Sequence, residues 1–121
     1  YTTKYIITRD INNTSWKLTG WSSTEITPDV ATITLELKNG TISGNGGVNS
    51  YSGIYTIGFN KKIILSDISS TEMASLDDNI NKAESLYFSL LTKVKYYTVE
   101  NNTLKLLDEN ENTLLIFNKT N

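Results

Sequence analysis

Apolar and polar residues alternate along much of this chain, a pattern that predicts β-strands with one buried face. The alternation is cleanest over residues 32–38, where Ile33, Leu35 and Leu37 are separated by polar neighbours. Asn39-Gly40 follows and predicts a two-residue hairpin turn, since both central residues of a type I′ turn need positive φ. Further strands are predicted over residues 15–21, 41–44, 53–58, 61–66, 95–100, 103–107 and 113–117, with a short extended piece over 68–71.

The period of the apolar residues changes once, to that of a helix. Apolar side chains three or four positions apart predict a helix over residues 81–94. Asn81 and Glu84 are spaced as in a capping box, in which each side chain meets an orphan backbone N–H. Strands, one helix and further strands together predict an α+β fold, with the helix packed across an antiparallel sheet. The helical pattern is carried by Ile80, Ala83, Tyr87, Leu90, Leu91 and Val94.

Length and charge limit the classes of protein to consider. The 121 residues suit one domain, which we place at residues 13–121 after an N-terminal arm of residues 1–12. A net charge of −2 with a single arginine, Arg9, argues against nucleic-acid binding, which needs concentrated basic residues. No apolar run approaches the ~20 residues that span a membrane. The chain begins at Tyr1, so we expect any signal peptide or lipobox to lie upstream.

Residues 42–55 hold four of the seven glycines. The spacing Gly44-x-Gly46 resembles the start of a dinucleotide-binding loop, but Asn49 stands where the third glycine belongs. A strand is predicted to follow where that motif requires a helix, and Gly-Lys-Ser/Thr occurs nowhere. We therefore interpret the run as a tight structural corner or bulge.

Candidate catalytic groups are few. The chain has no His and no Cys, so the usual general base and thiol nucleophile are missing. Ser89 and Lys93 are one residue too far apart for a Ser-x-x-Lys pair. The carboxylates of Glu72, Asp77-Asp78 and Glu84 could serve acid–base chemistry, but Asp77-Asp78 complement a helix N-terminus and Glu84 fits the capping box. We expect no catalytic residue and no enzymatic activity.

Asp108-Glu109-Asn110-Glu111-Asn112 begins like a calcium-binding EF-hand loop. Thr113 then stands where such a loop needs glycine, and Lys119 stands where it needs a bidentate glutamate. A hairpin turn is the better interpretation. We expect no metal site and no cofactor.

Several landmarks follow one another in an informative order. Trp16-Lys17-Leu18 opens a strand, and the glycine run reads Ser43-Gly44-Asn45-Gly46-Gly47-Val48-Asn49-Ser50-Tyr51-Ser52-Gly53-Ile54-Tyr55. Ile68-Ser69-Ser70-Thr71-Glu72-Met73-Ala74-Ser75 precedes the Glu84 helix, and Leu104-Lys105-Leu106-Leu107-Asp108 comes near the end. Over residues 13–117 this order resembles the META/HslJ family of small bacterial envelope domains. The resemblance implies structural motif roles for Trp16, Gly44, Gly47, Asn49, Tyr51, Gly53, Tyr55, Thr71 and Met73.

Two positions depart from the family pattern. Val48 and Ser75 stand where the family usually has cysteines, so no cysteine-dependent property carries over. The joint loss suggests that the two positions face each other, and we expect their Cβ atoms to lie within about 10 Å.

The resemblance also implies a curved antiparallel sheet or partly open β-barrel crossed by a helix, and a cell-envelope or extracellular location. Membrane association would need a lipid anchor outside this chain. Family members have been linked to heat shock, antibiotic tolerance and virulence. The resemblance implies no established catalytic residue.

Two functions remain open. The first is a non-enzymatic envelope domain that binds a hydrophobic ligand or a protein partner. The alternative is a protein-interaction module that uses an exposed sheet edge or loop and has no ligand pocket. We expect Trp16 in the core, Trp21 to be exposed, and Trp21, Tyr96 and Tyr97 to form a contact surface.

Overall fold

A computed structural model describes residues 11–120 of the chain. In this part the strands form one antiparallel sheet of eight, and a single α-helix, α1 (Asp78–Leu91), lies between the fifth and sixth strands. A short 3-10 helix, Pro28–Val30, lies between the first two strands. The strands are β1 (Thr14–Trp21), β2 (Thr34–Lys38), β3 (Thr41–Asn45), β4 (Ser50–Ile57), β5 (Ile63–Ser70), β6 (Tyr96–Glu100), β7 (Thr103–Leu107) and β8 (Thr113–Lys119).

The sheet curls into a half-barrel. The strand order is β5-β4-β3-β2-β1-β8-β7-β6, which makes β5 and β6 the edge strands. These two edges meet only at their first residues, where the Ile63 N–H donates to the Lys95 carbonyl and the Tyr97 N–H donates to the Lys61 carbonyl, both at 2.9 Å. The two strands run antiparallel away from this point, so the contact is short. We call it the β5–β6 seam.

Helix α1 packs on the buried face of the curled sheet. The ring of Tyr87 lies 5.6 Å from that of Tyr51 on β4 and 6.4 Å from that of Phe117 on β8. Because β4 and β8 are separated by three strands, one helical side chain can touch both only inside the curve. Large side chains fill this interior, among them Trp16, Phe117, Ile33, Leu35, Leu37, Ile42, Leu104, Leu106 and Leu115.

The α+β class, the curved antiparallel sheet and the single helix were all predicted from the sequence and are confirmed. The hairpin turn has positive φ at Asn39 (53°) and Gly40 (83°), as expected of Asn-Gly. The extended piece predicted over 68–71 is the end of β5, which continues through a bulge at Asp67 (φ 54°). No helix within residues 11–120 is long and apolar enough to cross a bilayer.

The helix begins three residues before its predicted start. Asp77 is the N-cap, and its carboxylate accepts a hydrogen bond from the Asn79 N–H at 2.9 Å. The predicted capping box of Asn81 and Glu84 was therefore wrong. The Asn81 side chain instead turns back to Ser75, accepting from its N–H and donating to its carbonyl.

Most of the predicted arm, residues 1–10, lies outside the described residues. Ile11 is buried in the core, and the Asn12 side chain accepts hydrogen bonds from the Asn39 N–H and the Tyr55 hydroxyl. The chain is thus already packed against the domain at residue 11.

Candidate functional site

Glu84 is the one acidic side chain buried among the described residues, at 8% exposure. It lies on the stripe of α1 that faces the sheet, together with Ala83, Tyr87 and Leu91. Positions three and four apart share one helix face, so the helix that buries Tyr87 must bury Glu84 as well. A carboxylate in that place is stable only if donors surround it.

The glycine-rich corner, residues 44–49, supplies those donors. Glu84 Oε2 accepts from the backbone N–H groups of Val48 (2.9 Å) and Asn49 (2.6 Å), while Oε1 accepts from the Asn49 side-chain amide (2.7 Å). The Gly46 N–H closes the corner on the Asn49 carbonyl at 2.8 Å. The carboxylate therefore fixes residues 46–49 against the helix.

Asn49 extends this network to the loop between β5 and α1. Its Oδ1 accepts from the Thr71 hydroxyl (2.8 Å) and the Met73 N–H (2.7 Å), and its amide also donates to the Met73 carbonyl (2.9 Å). Every side-chain hydrogen-bonding atom of Asn49 is thus engaged. We call Asn49, Glu84, Thr71 and Met73 the Asn49–Glu84 cluster.

Two glycines let the corner approach its neighbours. A Cβ at Gly44 would lie 2.2 Å from the Thr34 carbonyl oxygen on β2, which no side chain could relieve. Gly47 has a φ of 127°, where other residues are strained. The corner is a close-packed structural element, as interpreted from the sequence.

A second buried polar pair lies beside the cluster. The hydroxyls of Tyr51 and Tyr87 are 2.5 Å apart, and the Tyr51 hydroxyl donates to the Thr34 carbonyl at 2.8 Å. Burial raises the pKa of both tyrosines well above the ordinary value, because a phenolate would be desolvated there. For Tyr87 the neighbouring Tyr51 raises the pKa further. Both hydroxyls therefore remain protonated and act as fixed hydrogen-bonding groups.

The loop held by the cluster, residues 71–77, exposes large apolar side chains. Met73 is 66% exposed although its N–H and its carbonyl are both hydrogen-bonded to the Asn49 side chain, and Leu76 is fully exposed. Ser75, between them, is bonded to Asn81 through its N–H and its carbonyl. Residues 71–77 are consequently anchored by their backbone while two apolar side chains point into solvent. We call this segment the apolar loop.

A surface groove runs along the outer side of α1. Its volume is about 900 Å³, and it is open to solvent between the helix and the polar loop after β1. Six of its eight lining residues are polar or charged, and Ile26 and Leu86 are the apolar ones. The polar lining residues are Glu25, Asn79, Asn81, Lys82, Ser85 and Ser89.

Each predicted motif residue makes contacts within the fold. Asn49, Thr71 and Met73 meet in the Asn49–Glu84 cluster, which Gly44 and Gly47 allow to form. The others lie elsewhere in the fold. Trp16 is in the core, where its indole N–H donates to the Thr14 hydroxyl, and the Tyr51 hydroxyl bonds that of Tyr87. Gly53 packs against Ile68 at the β5 bulge, and the Tyr55 hydroxyl donates to the Asn12 side chain.

The predicted contact surface needs correction. Tyr97 is only 2% exposed, because it is on the face of β6 that lines the core. Trp21, expected to be exposed, is half-buried, and its indole N–H donates to the Ile26 carbonyl at 2.9 Å. Tyr96 is half-buried. Val48 and Ser75 are also half-buried, and their proximity stays a prediction, although Asn49 bonds directly to Met73 beside them.

Sequence reasoning missed the role of Glu84, although a signal was present. The helical stripe that contains Ala83 and Tyr87 also contains position 84, so the pattern itself buries that carboxylate. The backbone N–H groups of the glycine-rich corner were the available donors to the Glu84 carboxylate. Within residues 11–120 no three His, Cys, Asp or Glu side chains are grouped to hold a metal ion.

A curled eight-stranded sheet around one helix, locked by a buried Glu–Asn pair, defines a small α+β half-barrel domain. The META domain family model matches residues 9–121, and the chain belongs to that family.

The fold is shared by solved structures. The chain is similar to a protein from Burkholderia xenovorans determined by NMR, with a TM-score of 0.77 and 25% identity over 95% of this chain and 87% of that one. A DUF4847 family protein from Bacteroides vulgatus ATCC 8482 gives a TM-score of 0.61 at 12% identity, over 93% and 96% of the two chains, and shows the fold alone. A search of the curated proteins finds no match.

Proposed function

We propose that this META domain is a non-enzymatic protein-interaction module whose partner docks on the apolar loop. The observation that carries the proposal is the combination of an anchored backbone with exposed Met73 and Leu76 side chains. Exposed apolar patches mark interaction sites on protein surfaces.

Anchoring matters because binding costs conformational entropy. The backbone of a loose loop must be ordered when a partner arrives, at roughly 1–2 kcal/mol for each residue fixed. The apolar loop has its backbone fixed in advance by Asn49 and Asn81. The buried cluster thus supports the proposed contact without touching the partner.

A bound hydrophobic ligand is the weaker of the two hypotheses. Ligand sites are mostly apolar cavities that enclose most of the ligand. In the described residues the interior of the half-barrel is occupied by Trp16, Tyr87 and Phe117, and the groove along α1 is open to solvent rather than enclosed. Met73 and Leu76, two of the five exposed large apolar side chains among residues 11–120, are instead on the loop.

The absence of enzymatic activity and the location are parts of the same proposal. Two of the four carboxylates weighed as catalysts have structural partners, since Asp77 caps α1 and Glu84 holds the corner. The proposed cell-envelope or extracellular location, and any role in stress or antibiotic tolerance, rest on the family resemblance.

Site-specific photo-crosslinking tests the proposal. A benzophenone side chain at Leu76 is expected to give a covalent adduct with a discrete protein in the cells that express the chain. The same group at Phe59, 93% exposed at the opposite end of β5, is the matched control. Adducts that are equal at both positions, or missing at Leu76, would contradict docking on the apolar loop.

A further inference from the structure

We infer that the partner presents basic side chains beside an apolar anchor, an inference that rests on the proposed function. The evidence is the charge around the apolar loop. Between Lys62 and Lys82 the chain has four acidic residues and no basic one. The acidic residues are Asp67, Glu72, Asp77 and Asp78.

Three of these carboxylates border the apolar side chains directly. Glu72 precedes Met73, and Asp77 and Asp78 follow Leu76, all with exposed side chains. The N-terminus of α1 contributes only about half a positive charge, so the surface around the loop remains clearly negative. The backbone bonds to Asn49 and Asn81 keep these charges beside Met73 and Leu76.

An apolar centre with a rim of one charge sign favours a partner of complementary sign. Rim charges steer encounter and reject like-charged partners more than they add affinity. A segment with Lys or Arg on either side of a large apolar side chain would match both features. An acidic segment of the same apolar content would be repelled.

The chain itself offers two comparison surfaces. The β7–β8 turn is acidic, with Asp108, Glu109 and Glu111, but has no large exposed apolar side chain. The β4–β5 turn has exposed Phe59 beside Lys61 and Lys62, so it is apolar but basic. Of these three surfaces, only the apolar loop is both apolar and acidic.

The test is an NMR titration of the ¹⁵N-labelled protein with two synthetic peptides. Both carry leucines at the same positions, one with lysines between them and the other with glutamates. The lysine peptide is expected to shift the amide resonances of residues 71–79 and to leave those of 57–62 and 108–112 unchanged. The glutamate peptide is expected to shift none.

Charge-reversed variants give the second arm. Glu72→Lys with Asp78→Lys should weaken binding of the lysine peptide about tenfold, since two exposed attractive charges become repulsive. Glu109→Lys with Glu111→Lys changes the net charge by the same amount and should leave the affinity for the lysine peptide unaltered. Raising the salt to 1 M, where the Debye length is about 3 Å, should weaken binding to the wild type.

The inference is overturned if both peptides bind equally, if the lysine peptide shifts residues 108–112 as strongly as 71–79, or if neither peptide binds. Photo-crosslinking at Leu76 is independent of these results. An adduct at Leu76 together with any of these failures would retain the proposed docking site and reject the basic partner.

Discussion

At the scale of single residues, Glu84 shows how a buried carboxylate is made stable. Burying an isolated carboxylate would cost several kcal/mol, yet here two backbone N–H groups and one side-chain amide face it. The same three donors would be left unpaired without the carboxylate. Glu84 and the glycine-rich corner therefore depend on each other.

We expect Glu84→Gln to destabilise the fold by about 1–3 kcal/mol, the cost of leaving buried donors unsatisfied. A glutamine has one acceptor oxygen, so its NH₂ group must face either Asn49 Nδ2 or the N–H groups of Val48 and Asn49. Urea unfolding measures the change. Glu109→Gln in the exposed β7–β8 turn is the matched control, and an equal free energy of unfolding for both variants would contradict the buried role of Glu84.

The Tyr51–Tyr87 pair makes stability sensitive to alkaline pH. Both pKa values are raised in the folded state, so folding favours the protonated phenols. Their contribution is complete below the ordinary tyrosine pKa of about 10 and is lost as the pH rises through the folded value. We expect stability to fall above pH 10 by about 1.4 kcal/mol per pH unit for each tyrosine.

Tyr87→Phe should flatten this decline at a cost of about 0.5–1.5 kcal/mol at neutral pH, since Tyr51 keeps its bond to Thr34. Unfolding free energies measured at pH 8 to 11 check both effects. Tyr96→Phe, at a half-buried position on β6, is the control for the general effect of alkaline pH. A slope that is the same in Tyr87→Phe and wild type would show that the pair does not contribute.

At the scale of elements, the glycine-rich corner joins β3 to β4 while touching both β2 and α1. Gly44→Ala would place a Cβ against the backbone of Thr34, and Gly47→Ala would strain a φ of 127°. We expect losses of about 3 kcal/mol or more for Gly44→Ala and about 1 kcal/mol or more for Gly47→Ala. Gly20→Ala should have a smaller effect, because the added Cβ would lie 3.4 Å from its nearest neighbour, the Ile116 side chain.

Thermal unfolding of the three variants orders them directly. If Gly44→Ala and Gly20→Ala have the same melting temperature, the close approach of β3 to Thr34 does not constrain position 44. If Gly47→Ala melts with the wild type, positive φ is not why glycine stands at position 47.

Elements with a local cause were predictable from the sequence. The alternation of Ile33, Leu35 and Leu37 gave a strand, and Asn39-Gly40 gave its turn, because each is decided by neighbouring residues. The predicted helix start was three residues late because the Asn81–Glu84 spacing indicated a cap at Asn81, whereas Asp77 is the N-cap. Which of them caps depends on the Ser75–Asn81 bonds, and these require the loop to be folded.

The Asn49–Glu84 cluster was less predictable for a similar reason. Glu84 and Asn49 are 35 positions apart, and only the packing of α1 on the sheet brings them together. The local capping-box pattern offered a satisfactory partner for Glu84 and concealed the distant one. The burial of Tyr97 likewise follows from its register on β6 opposite Leu106, which adjacent tyrosines in a sequence do not reveal.

At the scale of the whole molecule, the half-barrel is held shut at the β5–β6 seam. Two backbone hydrogen bonds cross it, from Ile63 to Lys95 and from Tyr97 to Lys61. The Lys61 ammonium also lies 5.4 Å from the centre of the Tyr97 ring, within range of a cation–π contact. Strands β1 and β2, in contrast, are paired on both sides near the centre of the sheet.

We expect the seam to open before the sheet unfolds. Native-state hydrogen exchange should give the Ile63 and Tyr97 amides a lower opening free energy, and a smaller dependence on denaturant, than the Leu18 amide bonded to Ile33. Lys61→Asn, which tolerates the positive φ at that position, should lower protection at the seam by about 0.5–1 kcal/mol through loss of the cation–π contact. Protection at Leu18 should stay unchanged. Equal opening free energies for all three amides would mean that the sheet unfolds as one closed unit, and the seam would then be as strong as the centre.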